Sequence, residues 1–251
     1  MFYGNFSGER KQKFQNSLKT MQEVFGRVYA QDNLIAVQKS VGFFQDEKFR
    51  TAFTNYATTE QEKSLGWRLH TLTWAASNCL NIPGDFVECG VYRGFSFAVV
   101  SAYLNFENIN KNLYLYDTFE GIPEEYNSEK RSNQIYQQEN SQDKDAIYKH
   151  VQNKFSFYNN VKVVRGIVPN TFSQVCPETI ALLHIDMNSA KSEIAALEVL
   201  FDRVSPGGMI VFDDYGWSGY VKQKIAEDEF MKQRGHSILE LPTGQGLLIK
   251  K

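Results

Sequence analysis

Aspartates stand at the ends of two apolar segments in the second half of the chain. Asp186 follows residues 180–185, and the pair Asp213 and Asp214 follows residues 209–212. If these segments are neighbouring parallel strands, as consecutive α/β units usually are, the three carboxylates converge at one edge of a sheet. A divalent cation would stabilise such a cluster, and ligands made only of oxygen favour Mg²⁺ over zinc. The alternative is that these aspartates are loop and helix-cap residues.

An acidic turn spaced by glycines follows an earlier apolar segment. Glu88 is followed by Gly90 and Gly94, which let the backbone pass close to a ligand because they carry no Cβ atom. The G-x-G-x-x-G fingerprint of dinucleotide sites is absent, and the Glu88 carboxylate would repel a phosphate. The carboxylate suits a cation instead, such as the sulfonium and amino groups of S-adenosylmethionine. The alternative is an ordinary tight turn with a surface acid.

Asp117 ends the next apolar segment, residues 113–116. An acid at that position can accept hydrogen bonds from both hydroxyls of a ribose, in an adenosyl group or in NAD, and it can equally cap a helix. Gly166 and Ile167, after a third segment, offer backbone and apolar surface for an adenine ring. The candidate cofactor-binding residues are therefore Glu88, Gly90, Tyr92, Gly94, Ser96, Asp117, Thr118, Phe119, Gly166, Ile167 and Asp186.

Strand and helix signals alternate from residue 86 onward, which predicts an α/β fold with a mainly parallel, doubly wound sheet. The candidate strands are residues 86–88, 113–116, 161–165, 180–185, 209–212, 237–241 and 246–250. Four residues separate the last two strands, too few for a parallel crossover, so these strands must pair antiparallel. Residues 205–208 are predicted to form a turn before the fifth strand.

The first part of the chain has no strand pattern punctuated by glycine. Helices are predicted at residues 11–29, 43–56 and 60–80. We therefore expect two parts, a helical N-terminal extension at 1–80 and an S-adenosylmethionine-binding domain at 81–251. The extension could form a lid, pack plainly against the sheet, or contact a second subunit in a homo-oligomer.

Composition excludes several classes of protein. The chain has 27 Lys and Arg against 29 Asp and Glu, so it lacks the basic excess of a nucleic-acid-binding protein. No apolar stretch is long enough to span a bilayer or to form a signal peptide, which predicts a soluble, cytoplasmic protein without a membrane partner. The three cysteines show no C-x-x-C spacing, which argues against a zinc site. A small molecule is the expected partner.

Taken together, these motifs resemble the macrocin O-methyltransferase family of class I S-adenosylmethionine-dependent enzymes. The resemblance covers the chain from about residue 67 to residue 250. It rests on GDFVECGV at residues 84–91, DTFEGIP at 117–123, HID at 184–186, SPGG at 205–208 and DDYG at 213–216.

The resemblance implies a class I methyltransferase fold, Rossmann-like, with a seven-stranded sheet. It implies methyl transfer from S-adenosylmethionine to a hydroxyl of a sugar or a glycosylated small molecule. Mg²⁺ would be bound by the residues that match Asp186, Asp213 and Asp214, and Asp186 would also help to deprotonate the acceptor. Sugar-modifying members commonly have Gly-Asp after His-Ile-Asp, whereas this chain has Met187 and Asn188, which leaves the acceptor open.

Two other classes of function remain in view. An NAD-dependent oxidoreductase would use Asp117 equally well, although the acid at Glu88 and the missing third glycine speak against it. A non-catalytic protein could keep only the adenosylmethionine-binding fold. A nucleic-acid methyltransferase acting on amino groups would need an Asn/Asp-Pro-Pro-aromatic run, which residues 213–216 do not supply.

Overall fold

A computed structural model describes residues 8–127 and 145–251. Its strands are β1 Val28–Gln31, β2 Leu34–Val37, β3 Asp85–Cys89, β4 Leu113–Asp117, β5 Val161–Arg165, β6 Ile180–Ile185, β7 Val204–Phe212, β8 Leu239–Glu240 and β9 Gly246–Ile249. The α-helices in the described ranges are α1 Gly8–Phe25, α2 Glu47–Tyr56, α3 Glu60–Ser64, α4 Gly66–Asn78, α5 Phe95–Leu104, α6 Ala146–Phe155, α7 Ala190–Leu200 and α8 Val221–Gln233.

The main sheet has seven strands in the order β5-β4-β3-β6-β7-β9-β8. Strands β3 to β7 pair in parallel, whereas β9 runs antiparallel to both β7 and β8. The predicted α/β fold with a C-terminal antiparallel hairpin is therefore confirmed. Chain order reverses between β3 and β6, and this switch point is where α/β sheets place a ligand crevice.

The central strands are buried because helices cover both faces of the sheet. On one face Phe86 and Leu115 belong to a core that includes side chains of α2, α4 and α5. On the other face Val87 and Tyr116 belong to a core that includes side chains of α7 and α8. Apolar residues on both sides of each strand are typical of parallel sheets.

The N-terminal part contains helices, as predicted, but it also contains a β-hairpin that was not predicted. Strands β1 and β2 pair antiparallel around Asp32 and Asn33, whose φ angles are 52° and 56°. Two consecutive positive φ angles are typical of a type I′ turn. The helix expected to reach residue 29 ends at Phe25. The usual Asn-Gly or Asp-Gly signal of such a turn is absent here, since Asn33 takes the second position.

Residues 205–208 were predicted as a turn before a strand, and that prediction is wrong. They lie inside β7, where the pairing with β6 shifts register between Ile180 and Leu182. Gly207 has a φ of 82°, and a Cβ atom on Gly208 would lie 2.9 Å from the carbonyl oxygen of Ala181. The glycines therefore accommodate an irregularity within a long strand.

Within residues 8–127 and 145–251, no helix combines the length and apolar character that crossing a membrane requires.

Candidate active site

A cavity lies at the switch point, beside the carboxyl ends of β3, β4, β5 and β6. Six of the predicted cofactor-binding residues line it: Gly90, Asp117, Thr118, Gly166, Ile167 and Asp186. The rest of the wall comes from residues after β4, after β5 and after β6, together with the end of β4: Gly121, Ile122, Pro123, Tyr126, Val168, Met187, Asn188, Ser192 and Tyr116. The sequence motif at 117–123 contained some of these residues, but their role in covering the cavity was not recognised.

Gly90 allows the end of β3 to approach the end of β6. Its φ is 91°, and a Cβ atom at this position would lie 1.8 Å from the carbonyl oxygen of Asp186. The Gly90 amide donates to the carbonyl oxygen of Tyr116 at 2.9 Å. No residue with a side chain fits here, so Gly90 makes room for Asp186 as well as for a ligand.

Asp117 holds the turn that follows β3. Its Oδ2 atom accepts hydrogen bonds from the amides of Val91 and Tyr92, each at 2.7 Å, and its Oδ1 atom accepts one from the amide of Phe119 at 2.6 Å. Burial raises the pKa of Asp117, and the backbone donors oppose that rise. The carboxylate is thus a backbone anchor in the cavity wall, and its contact with a ribose stays a prediction.

Five predicted cofactor-binding residues lie outside the described cavity wall: Glu88, Tyr92, Gly94, Ser96 and Phe119. Gly94 precedes α5, and a Cβ atom on it would lie 2.9 Å from the Phe155 ring. Phe119 is fully buried in the core. The contacts of these five residues with a cofactor stay predictions, because spacing alone does not show which way each side chain points.

Glu88 is buried beside His184, and its contact with a cofactor stays a prediction. It was expected to face a cationic cofactor, yet it is only 1% exposed and its Oε1 atom lies 3.0 Å from Nδ1 of His184. Burial raises the pKa of Glu88 to about 7, and the contact with His184 acts in the opposite direction. Successive strand residues face opposite sides of a sheet, so Glu88 lies on the same side as Phe86. That side is covered by α2, α4 and α5.

The predicted clustering of Asp186, Asp213 and Asp214 is confirmed. Strands β6 and β7 are neighbours, and the amide of Asp213 donates to the carbonyl oxygen of Ile185 at 2.9 Å. Burial, followed by the charges of Asp213 and Asp214, raises the pKa of Asp186 well above its usual range. Asp186 alone of the three also lines the cavity. It therefore stands between the cavity and the other two acids.

Arg68, on α4, supplies a positive charge to this acid cluster, and sequence reasoning did not find it. Its Nε atom donates to Oδ2 of Asp32 at 2.8 Å, and its terminal nitrogens contact Asp213 and, at 3.4 Å, Asp214. The guanidinium also lies 4.9 Å from the ring centre of Trp217. Arg68 stands among the apolar residues of a helix, so nothing in its local sequence connects it with acids at residue 213.

Neighbouring side chains hold the Asp213 carboxylate from both sides. Gln245 donates through Nε2 to its Oδ1 atom at 3.0 Å, and Nε2 of His184 lies 3.7 Å from the same oxygen. Burial alone would raise the pKa of Asp213, but Arg68 and His184 hold it well below its usual range. Burial raises the pKa of Asp214 to about 6, although Arg68 opposes the rise. Asp213 is therefore the more fully ionised of the pair.

Mg²⁺ does not fit the residues in this arrangement. The ion demands near-octahedral oxygen ligands at about 2.0–2.1 Å. Both oxygens of Asp213 already contact protein donors, and Oδ1 of Asp214 faces the guanidinium of Arg68. In the part of the chain that the structure describes, no group of three or more His, Cys, Asp or Glu side chains could hold a metal ion. The predicted Mg²⁺ site is therefore not supported.

The cavity does fit S-adenosylmethionine in its chemistry. Its wall combines the Asp117 and Asp186 carboxylates, which attract a cation, with apolar surface from Ile167, Val168 and Met187. A sulfonium and an amino group require the first kind of surface, and an adenine ring requires the second.

Comparisons with known proteins agree with this geometry. A family model described as macrocin O-methyltransferase (TylF) matches residues 2–238. Mycinamicin III 3''-O-methyltransferase of Micromonospora griseorubida is 26% identical over 183 residues, which cover 67% of this chain and 70% of the relative. A demethyl-dimethoxyrhamnosyl-tetracenomycin-C 4'-O-methyltransferase of Streptomyces olivaceus is 29% identical over 156 residues, 59% of this chain and 60% of the relative.

Solved structures confirm the class of fold. The calicheamicin methyltransferase CalS11 superposes with a TM-score of 0.62 at 16% identity, covering 98% of this chain and 95% of its own. The O-methyltransferase NovP gives a TM-score of 0.60 at 22% identity, covering 73% and 79%. Since the family model spans nearly the whole sequence, the chain belongs to the macrocin O-methyltransferase family of S-adenosylmethionine-dependent O-methyltransferases.

Proposed function

We propose that the protein transfers a methyl group from S-adenosylmethionine to a hydroxyl of a sugar or of a sugar-containing natural product. The family membership supports O-methyl transfer. The names of the two relatives support a sugar acceptor, since one is a mycinamicin III 3''-O-methyltransferase and the other acts on a rhamnosyl-tetracenomycin. An NAD-dependent oxidoreductase gains no support from either finding.

The observation that carries the mechanism is the position of Asp186. Asp186 lines the cavity, and burial, followed by the charges of Asp213 and Asp214, raises the pKa of its carboxyl group. A raised pKa makes a carboxylate a stronger base, and a general base of suitable pKa contributes about 10²–10⁴-fold to a rate. Asp186 is therefore the candidate acceptor of the hydroxyl proton.

The remaining roles follow from the wall of the cavity. When bound, S-adenosylmethionine supplies an activated methyl group on a cationic sulfur. Asp186 would take the proton of the acceptor hydroxyl, and the methyl group supplied by bound S-adenosylmethionine would pass to that oxygen, with S-adenosylhomocysteine as the leaving group. Asp117 and Gly90 shape the floor that would hold the donor in line for this attack. We assign no step to Mg²⁺, because Arg68 contacts two of the three predicted ligands, Asp213 and Asp214.

The test uses the purified full chain with S-adenosylmethionine and a panel of sugar nucleotides and glycosylated antibiotics. We expect a product heavier by one methyl group for at least one acceptor, and S-adenosylhomocysteine in equal amount, both measured by mass spectrometry. Calorimetric titration with S-adenosylhomocysteine and with NAD tests the identity of the cofactor independently of the acceptor. Binding of NAD and not of S-adenosylhomocysteine would overturn the proposal, and cofactor binding without turnover of any acceptor would favour a non-catalytic protein.

A further inference from the structure

Arg68 connects carboxylates that come from distant parts of the chain. Asp32 lies at the turn of the β1–β2 hairpin, whereas Asp213 and Asp214 follow β7, and all three contact the same guanidinium. Arg68 is 7% exposed, and Asp32 and Asp214 are 7% and 9% exposed. The guanidinium is thus shielded from water. In such a buried position the attraction between opposite charges is stronger than at the surface.

The planar guanidinium of Arg68 matches the arrangement of the three carboxylates better than a metal ion would. A guanidinium presents five N–H donors in a planar fork. Here Nε donates to Asp32 in the hairpin, and the terminal nitrogens donate to Asp214 after β7. The ring of Trp217 lies within cation–π distance of it. A divalent cation placed between Asp213 and Asp214 would lie close to this fixed positive charge and would be repelled by it.

We propose that the Arg68 guanidinium serves as the built-in cation for the three carboxylates that it contacts, those of Asp32, Asp213 and Asp214. We further propose that methyl transfer by this chain needs no added divalent metal. Arg68 is a positioning residue in this proposal. It offsets part of the negative charge of the acids beside Asp186 and orients them, and it links the N-terminal hairpin to the same site. The activity part of the proposal depends on the proposed function, whereas the metal-binding part does not.

The decisive experiment measures metal binding. The EDTA-treated full chain is titrated with Mn²⁺, and free Mn²⁺ is followed by electron paramagnetic resonance. We expect no stoichiometric site in the wild type. Arg68→Met should gain one site, with affinity higher by about 10–100-fold, the scale on which neighbouring side chains act on metal affinity. Arg68→Lys keeps the charge and should remain like the wild type, and adding Asp213→Asn to Arg68→Met should remove the gained site.

The opposite result is equally clear. If the wild type binds one equivalent of Mn²⁺ and Asp213→Asn weakens that binding, the carboxylates are metal ligands and the proposal is wrong. This comparison involves no change at Arg68, so it remains decisive even if Arg68→Met fails to fold, which circular dichroism would show.

An activity measurement adds a second test once an acceptor is known. The EDTA-treated enzyme should turn over as fast as enzyme supplied with Mg²⁺, and loss of turnover that Mg²⁺ restores would overturn the proposal. Absence of turnover with and without Mg²⁺, against every sugar acceptor, would count against the proposed function. In that event the Mn²⁺ titration would still decide the role of Arg68.

Discussion

The amide of Asp213 donates to the carbonyl oxygen of Ile185 at 2.9 Å, one residue beyond the last paired residue of β7. This hydrogen bond carries the parallel register of β6 and β7 past their ends. Asp186 and Asp213 therefore begin their loops side by side, and the acid cluster follows from the strand pairing. Changes to any of these acids should affect chemistry more than folding of the sheet.

Asp186→Asn should lower kcat by about 10²–10⁴-fold, because the amide cannot accept the proton of the acceptor hydroxyl. The dissociation constant for S-adenosylhomocysteine should change much less than kcat, since the amide has nearly the same size and this product lacks the sulfonium charge. Steady-state kinetics and calorimetric titration measure the two quantities. Lys191→Gln, which changes an exposed charge five residues away, serves as the control. A normal kcat in Asp186→Asn would remove this residue from the mechanism.

Asp117→Ala should weaken both cofactor binding and the fold. The substitution leaves the amides of Val91, Tyr92 and Phe119 without their carboxylate acceptor. Loss of such bonds to a charged group costs about 2 kcal/mol or more of unfolding free energy. Urea denaturation and titration with S-adenosylhomocysteine give the two effects. Unchanged stability in Asp117→Ala would contradict the anchoring role.

Gly90→Ala should prevent formation of the native site. The added Cβ atom would lie 1.8 Å from the carbonyl oxygen of Asp186, and the φ of 91° is unfavourable for alanine. We expect little soluble protein, or soluble protein that does not bind S-adenosylhomocysteine. Gly219→Ala is the control, because nothing lies within 4 Å of a Cβ atom there. Wild-type binding by Gly90→Ala would show that the backbone approach is looser than described.

Glu227→Gln should stabilise the protein at neutral and higher pH. Burial raises the pKa of Glu227 from 4.5 to about 7; Glu193 and Lys224 lower it, and Asp228 and Asp214 raise it further. A carboxyl group whose pKa is higher in the folded state contributes fully to the folding stability when the pH is below the pKa of the unfolded state. That contribution is lost as the pH rises from 4.5 to about 7. The loss is about 3 kcal/mol on the usual linkage scale.

The measurement for Glu227→Gln is urea denaturation at several pH values between 4.5 and 8. The wild type should lose stability relative to the variant as pH increases through this window. Glu229→Gln, exposed on the same helix α8, is the control and should track the wild type. Parallel curves for wild type and Glu227→Gln would mean that this group is not protonated in the native state.

Asp32→Asn should loosen the β1–β2 hairpin while leaving the main sheet intact. The buried pair between Asp32 and Arg68 joins the hairpin to α4, and Arg68 keeps its contacts with Asp213 and Asp214 when Asp32 changes. Hydrogen exchange should therefore quicken in residues 28–37 and not in β3 or β6. Asn33→Ser, exposed at the same turn, is the control. Equal protection in both variants would show that packing, not the ion pair, holds the hairpin.

Most of the sheet could be predicted because its signals are local. Strands β5 and β6 were predicted at the residues where they occur, since long apolar runs between polar turns leave little choice. The β1–β2 hairpin was missed because its strands have four residues each and its turn lacks glycine. Residues 205–208 were misassigned because Pro and Gly within a strand look like a turn until the bulge with β6 is seen.

The site was predictable only where its residues follow strand ends. Asp186, Asp213 and Asp214 were found because parallel register brings strand ends together. Arg68 was not, because its contacts depend on how α4 packs over the sheet, and a helical arginine carries no signal for that. The same reason explains Glu88, whose direction into the buried face depends on strand pleating. Spacing shows which segments meet and leaves open which side chains face the ligand.

The distances along the chain that the site's contacts span have a consequence for folding. Asp117 and Tyr92 are 25 positions apart, whereas Arg68 and Asp213 are 145 positions apart. Closing the longer loop, between Arg68 and Asp213, reduces the conformational entropy of the chain more than closing the shorter one. The turn anchored by Asp117 should therefore form early in folding, and the ion pairs of Arg68 with Asp213 and Asp214 should form among the last events. A partly folded chain would then contain the Asp117 turn before helix α4 is fixed over the ends of β6 and β7.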